Sequence, residues 1–150
     1  MAIRNKPQYT AHMGEDALRP SVLLVVDSAE DREMYRQFLQ RRGYVVTVAS
    51  DGEEAVTCAL NGTFDIVVLE IELPKLDGIQ VVTLLRSYTS TSRLPVVTLS
   101  AQTGEHVRAA AVDAGADLAL EKPLPPEDLE AAIRVFVERG QRIRKRKATT

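Results

Sequence analysis

The sequence predicts an α/β protein built on a doubly wound, five-stranded parallel sheet with helices on both faces. Three observations predict it. Short runs rich in valine, isoleucine and leucine alternate five times with segments of helical spacing. Two of those runs, 22–26 and 66–69, show little polar alternation, as strands covered on both faces do. Gly43, Gly62 and Gly115 each directly follow a helical segment, where a left-handed cap is least costly for glycine, and each precedes a further strand.

Taken in order, the first strand is 22–26 and ends in Asp27-Ser28. A helix over 29–42 follows, with Glu30, Asp31 and Glu33 in its opening turns, where negative charge favours the helix dipole. Strand 45–49 leads into a helix over 52–61, and strand 66–69 ends in Glu70 before a helix over 78–87. Gly52 after Asp51 and Gly78 after Asp77 read as turn and helix-start glycines; no phosphate-cradling GxxxxGK motif occurs. Strand 96–99 ends in Ser100 and precedes a helix over 104–114, whose Val107, Ala110, Ala111 and Ala114 recur at one-face spacing. Strand 118–120 ends in Glu121-Lys122-Pro123. The last helix, over 126–138, carries the stripe Leu129, Ala132, Ile133 and Phe136. Residues 1–20, with Pro7, Gly14 and Pro20 and no sustained periodicity, read as a flexible leader; 21–138 form the domain, and 139–150 a basic C-terminal tail.

A length of 150 residues with 45% hydrophobic content suits one domain with a substantial core. No apolar stretch approaches the ~20 residues of a membrane span. The N-terminal segment, with Arg4, Lys6 and His12, lacks a signal peptide's apolar core, so a cytoplasmic protein without membrane insertion is expected. The single Cys58, flanked by Ala59 and Leu60, is read as a packing residue. His12 and His106 have no partner at metal-ligand spacing.

The net charge of −2 conceals an asymmetry. Arg139, Arg142, Arg144, Lys145, Arg146 and Lys147 crowd a stretch without acids, leaving the rest of the chain acidic. Such a tail is ordinarily a solvated terminus; contact with nucleic acid through Arg142, Arg144, Lys145, Arg146 and Lys147 would be nonspecific, since no helix-turn-helix remains to read sequence.

In an open parallel sheet the carboxyl ends of the strands face one crevice. Asp27, Ser28, Glu70, Ser100 and Lys122 therefore converge there. Together with Asp77-Gly78 and Ala114-Gly115-Ala116-Asp117, they resemble the receiver domain of two-component response regulators over residues 21–138. The resemblance implies a flavodoxin-like strand order, 2-1-3-4-5, with Asp27 and Glu70 side by side.

It also exposes three departures. Receivers carry an aspartate as phosphoacceptor where this chain has Glu70, and a second acid, ligating magnesium, where it has Ser28. Glu70 adds a methylene, moving its carboxylate outward by over ~1 Å, and misplacement by ~1 Å can cost phosphoryl transfer a hundredfold. Asp27, Ser28 and Glu72 are thus expected to form a vestigial acidic site with weak or absent magnesium binding and no other cofactor. Lys122 and Ser100 match the family's phosphate-pairing lysine and the hydroxyl that moves toward the phosphate on activation. Without the ion, Glu70 is expected to pair with Lys122, with Ser100 donating a hydrogen bond to that pair. Ala119 stands where the family has the aromatic ring that reports activation. The resemblance also implies a cis peptide bond before Pro123.

The function expected is that of a single-domain pseudo-receiver, acting by protein–protein interaction without aspartyl phosphorylation and not as an enzyme. Its partners would be a histidine kinase or a downstream effector, with a homodimer as a further option, through the face of the fourth helix, fifth strand and fifth helix bearing His106, Arg108, Glu121 and Glu130. The alternatives are a constitutively active receiver with Glu70 as phosphate mimic, a small magnesium-dependent phosphatase with Asp27 as nucleophile, and a basic-tail nucleic-acid-associated module.

Overall fold

The structure, a computed structural model, describes residues 19–149, so the expected leader lies outside the described residues apart from Arg19 and Pro20. Strands β1 (Ser21–Val25), β2 (Val45–Ala49), β3 (Ile66–Glu70), β4 (Val96–Ser100) and β5 (Leu118–Glu121) form one parallel sheet in the order β2-β1-β3-β4-β5. Helices α1 (Ala29–Arg41), α2 (Gly52–Asn61), α3 (Gly78–Ser87), α4 (Glu105–Ala114) and α5 (Pro126–Thr149) connect and follow them. This is the expected doubly wound architecture. The order reverses direction at β1 and β3, which opens the crevice at their carboxyl ends.

Every residue of β3 and β4 is buried, because both faces of the sheet are covered. On one face, Val22, Leu24, Ile66, Val68, Val97 and Leu99 pack against Tyr35 and Leu39 of α1 and Leu129, Ile133 and Val137 of α5. On the other, Leu23, Val25, Val67 and Leu69 meet Ala55 and Ala59 of α2, Val81, Val82 and Leu85 of α3, and Ala111 of α4. Alternation along each strand thus feeds two separate cores. Full burial of one such leucine contributes roughly 1.5–3 kcal/mol. Cys58 is half-buried against the second core, and burial pushes its thiol up from the usual range.

Some local expectations are corrected. Gly43 and Gly115 hold positive φ, but Gly62 has φ −123°, in extended backbone. Its glycine answers to close approach instead, since a Cβ there would lie 2.9 Å from the Phe64 ring. In α4, Ala111 is buried and Val107 and Ala114 are half-buried, but Ala110 is exposed: the stripe is narrower than the spacing suggests. Helix α5 does not end at Glu138 and runs on to Thr149, with Arg144 bonded to Asp65 at 3.2 Å. Asp65 also accepts from the Ser21 amide at 2.7 Å, which ties the extension to the lower edge of the sheet.

Glu130 does not face solvent beside α4. It is 6% exposed, accepts the Tyr44 hydroxyl at 2.8 Å and pairs with Arg134 at 2.9 Å. Burial first, and then the hydrogen bond and charge of Glu130, hold the Tyr44 hydroxyl above its ordinary titration range. The shift is upward, so its stabilisation is complete below the unfolded tyrosine value of about 10 and is lost as pH rises through the folded value. We expect Tyr44→Phe to cost about 1 kcal/mol at neutral pH and to flatten the alkaline loss of stability, as read by urea unfolding at neutral and alkaline pH.

One contact sets the crevice floor. Asp77 caps α3 and closes a reciprocal capping box with Gln80, so that Gly78 begins the helix directly above the end of β3. A Cβ at Gly78 would lie 2.4 Å from the Glu70 carbonyl oxygen and 2.7 Å from the Ile71 Cα. Gly78→Ala should therefore push α3 off the strand and destabilise the fold by about 3 kcal/mol, measurable by thermal unfolding.

Candidate functional site

The carboxyl ends of β1, β3, β4 and β5 bring together Asp27, Glu70, Ser100 and Lys122. Register explains the grouping: Val25 pairs with Leu69 and Glu70 with Leu99, which puts the residues just beyond β1 beside the end of β3. Ser100 stands opposite Glu121, one position before Lys122.

Glu70 is 5% exposed, and both carboxylate oxygens are engaged. Oε1 accepts the Asp27 amide at 2.8 Å, and Oε2 accepts the Lys122 ammonium. The expected Glu70–Lys122 pair is therefore present. Lys122 also reaches Asp31 Oδ2 at 3.5 Å. Burial lowers the lysine's affinity for its proton, but the hydrogen bond and charge of Glu70, with Asp31 beside it, outweigh this and hold Lys122 above its usual value.

The hydrogen bond expected from Ser100 to this pair is not made. Ser100 Oγ donates to Glu72 Oε2 at 2.6 Å, and Glu72 Oε1 accepts the Ala101 amide at 3.1 Å. Glu72, counted from the sequence among the metal-site acids, is used on β4's side of the crevice. Ser28 caps α1, its Oγ accepting the Asp31 amide at 3.2 Å. Asp27 is exposed. Glu33 turns to Arg36 and Gln37 on α1, and those hydrogen bonds hold its carboxyl down to about 2.

This donor set is poor in free ligands for a magnesium ion: beside the exposed Asp27, Glu70 carries the Lys122 ammonium, Glu72 is turned to Ser100 and Ala101, and the Ser28 hydroxyl is taken by a helix cap. No group of three or more His, Cys, Asp and Glu suited to a metal occurs among the described residues.

Ala119 lies beside Thr98 in register, 8% exposed. With Ile71, Thr98 and Val107 it lines a small cavity of about 10 Å³. The Thr98 hydroxyl there is buried with no hydrogen-bond partner. The peptide bond between Lys122 and Pro123 is cis. His106, Arg108 and Glu121 are exposed, but Glu130 is turned into the fold.

Two supporting residues were not legible in advance. Arg32 donates to the Val26 and Asp27 carbonyls at 2.7 and 3.2 Å and fixes the loop bearing Asp27. Tyr35 donates to the Leu124 carbonyl at 2.8 Å and fixes the segment after Lys122. Their helical position, one turn and two turns into α1 from the crevice, is the only sequence signal either offers.

Residues 22–134 match the family described as Response regulator receiver domain. The response regulator MprA of Mycobacterium sp. (strain KMS) is 40% identical over 118 residues, 79% of this chain and 50% of that protein. The alkaline phosphatase synthesis transcriptional regulatory protein PhoP of Bacillus subtilis (strain 168) is 37% identical over 120 residues, 79% of this chain and 49% of that protein. The chain thus spans about half the length of the curated relatives it matches. Among solved structures, chemotaxis response regulator CheY4 of Vibrio cholerae is similar with a TM-score of 0.75 and 30% identity, over 79% of this chain and 98% of that one. The receiver domain of sensor histidine kinase PA1611 from Pseudomonas aeruginosa PAO1, which has a magnesium ion coordinated in its active site cleft, gives 0.75 and 27%, over 80% and 98%. With the strand order, the converging strand ends and a match across most of its length, this chain belongs to the response regulator receiver domain family of two-component signalling.

Proposed function

We propose that this chain is an atypical receiver, a pseudo-receiver that signals by binding protein partners and does not depend on phosphorylation of its strand-three carboxylate. The observation that carries this reading is the state of Glu70, whose two oxygens are committed to the Asp27 amide and the Lys122 ammonium. Phosphoryl transfer depends on placing the nucleophilic oxygen in line with the phosphorus and on a cation to neutralise the charge it meets. Glu70 adds a methylene that moves its oxygens out from the phosphoacceptor's place, each oxygen already holds one donor, and Ser28 supplies no second anion for a cation. Ala119 adds a further loss, since no ring is present to turn when Ser100 moves.

The alternative in which Glu70 imitates a phosphate draws less support, because Ser100 bonds to Glu72 and not to Glu70. A magnesium-dependent phosphatase draws less still, since the residue beside Asp27 is Ser28, a helix cap and not a second carboxylate. The partner on this reading is a protein of the histidine kinase or effector kind, and the exposed His106, Arg108 and Glu121 belong to the face that meets it or a second copy.

Incubation with acetyl phosphate and magnesium, followed by intact mass measurement, is expected to give unmodified protein. A stable phosphoryl adduct on Glu70 overturns the proposal. The pair Ser28→Asp and Glu70→Asp should restore both magnesium binding, read by calorimetry, and labelling.

Glu70 and Lys122 are also expected to behave as one structural unit. Lys122→Met leaves a buried carboxylate without its counter-charge and should cost about 3 kcal/mol of stability. Adding Glu70→Gln to that variant should recover most of the loss, a coupling read from a double-mutant cycle in urea.

A further inference from the structure

The crevice holds two separate anion contacts, and the second bears on the reading above only by keeping Ser100 from Glu70. Glu72 lies beyond β3 in a loop whose backbone is fixed: Ile71 donates to the Leu99 carbonyl at 2.8 Å, and Gly78 donates to the Ile71 carbonyl at 2.8 Å. From that base its carboxylate bridges consecutive donors on the neighbouring strand end, the Ser100 hydroxyl at 2.6 Å and the Ala101 amide at 3.1 Å. Ser100 Oγ in turn accepts the Gln102 amide at 3.0 Å, so one side chain organises three successive residues. Gly104, the cap position before α4, has φ 122° and gives the helix no side-chain cap.

A hydroxyl and an amide converging on one anionic group make a donor pair for an oxyanion, whether carboxylate, phosphate or sulfate. Glu72 is an exposed residue whose two oxygens both serve that pair. We propose that Glu72 is a tethered anionic ligand for the Ser100–Ala101 donors, and that it holds the loop from β4 into α4 in one conformation. Where a receiver's phosphoryl group would answer to both the lysine and the hydroxyl, two carboxylates here divide the task, Glu70 taking Lys122 and Glu72 taking Ser100. The inference rests on the phosphorylation-independent reading and adds its regulation: the loop is held by the chain itself, and His106 and Arg108 at the start of α4 are presented in a constant position.

Amide hydrogen exchange and proton shifts of the whole chain, followed by NMR, test this. In Glu72→Ala, exchange at Ala101 should quicken on the order of tenfold, the weight of one charge-assisted hydrogen bond, while core amides such as Val67 and Val97 keep their wild-type protection. Glu72→Gln, which keeps an acceptor without the charge, should fall between the two. Sulfate should slow Ala101 again in Glu72→Ala and leave the wild type unaffected. An Ala101 amide that exchanges in Glu72→Ala as it does in the wild type overturns the proposal, as does a sulfate response that the wild type shares or the variant lacks. Labelling by acetyl phosphate reads Glu70 alone, so an unlabelled protein with unchanged Ala101 exchange rejects the role of Glu72 and leaves the pseudo-receiver reading standing. A labelled protein with quickened exchange does the reverse.

Discussion

A carboxylate at the end of a fully buried strand has to be answered by positive charge, and Lys122 is what answers Glu70. Transfer of an isolated charged group out of water costs far more than a domain's whole margin of stability, so Glu70 and Lys122 have to be placed together by the fold. Nearly every feature around them serves that placement. The β1–β3 register brings the Asp27 amide to Oε1, Arg32 pins the loop that carries it, and Tyr35 pins the segment following Lys122. Gly78 lets α3 begin against the Glu70 carbonyl. The pair is thus the point on which two cores and four strand ends depend.

The division of labour between Glu70 and Glu72 follows from their reach. Glu70, the last residue of β3, looks across to β1 and β5; Glu72, beyond it, reaches β4. Neither contact requires a small ion to bridge like charges, because each carboxylate has found donors of its own. Lys122 balances Glu70, uncharged donors hold Glu72, and the crevice becomes a braced joint between strands.

How much of this was legible beforehand depends on where the determining contacts lie. The strands were readable because burial on both faces turns them into unbroken apolar runs, and the acid, hydroxyl and lysine at their ends could be gathered once a parallel sheet was inferred. The strand order needed the family resemblance, since right-handed crossovers alone permit several orders. Ala110 and Ala111 are indistinguishable by composition, so the edge of α4's buried stripe was set only by packing. Glu130 was misplaced because its partner Tyr44 is 86 positions away, and Gly62 because its constraint is the local turn that lays the Phe64 ring, two positions on, against it. The partner of Ser100 turned on a choice between two glutamates two residues apart, which side-chain reach decides and residue type does not. The end of α5 was hidden because arginine and lysine are good helix formers but carry no apolar period.

Helix α5 is a rod of 24 residues, about 36 Å at 1.5 Å rise per residue. Its first turn starts four positions after Lys122, while its far half passes the lower edge of the sheet, where Arg144 meets Asp65. A rod anchored at its middle by Ile133 and Val137 acts as a lever. A tilt of about 5° over that length displaces one end relative to the other by ~3 Å, about two residues of helical rise. A rigid rod of this length carries any difference in how the crevice seats the β5–α5 junction to the opposite pole of the molecule, so the placement of the basic end of the helix is tied to the segment that follows Lys122.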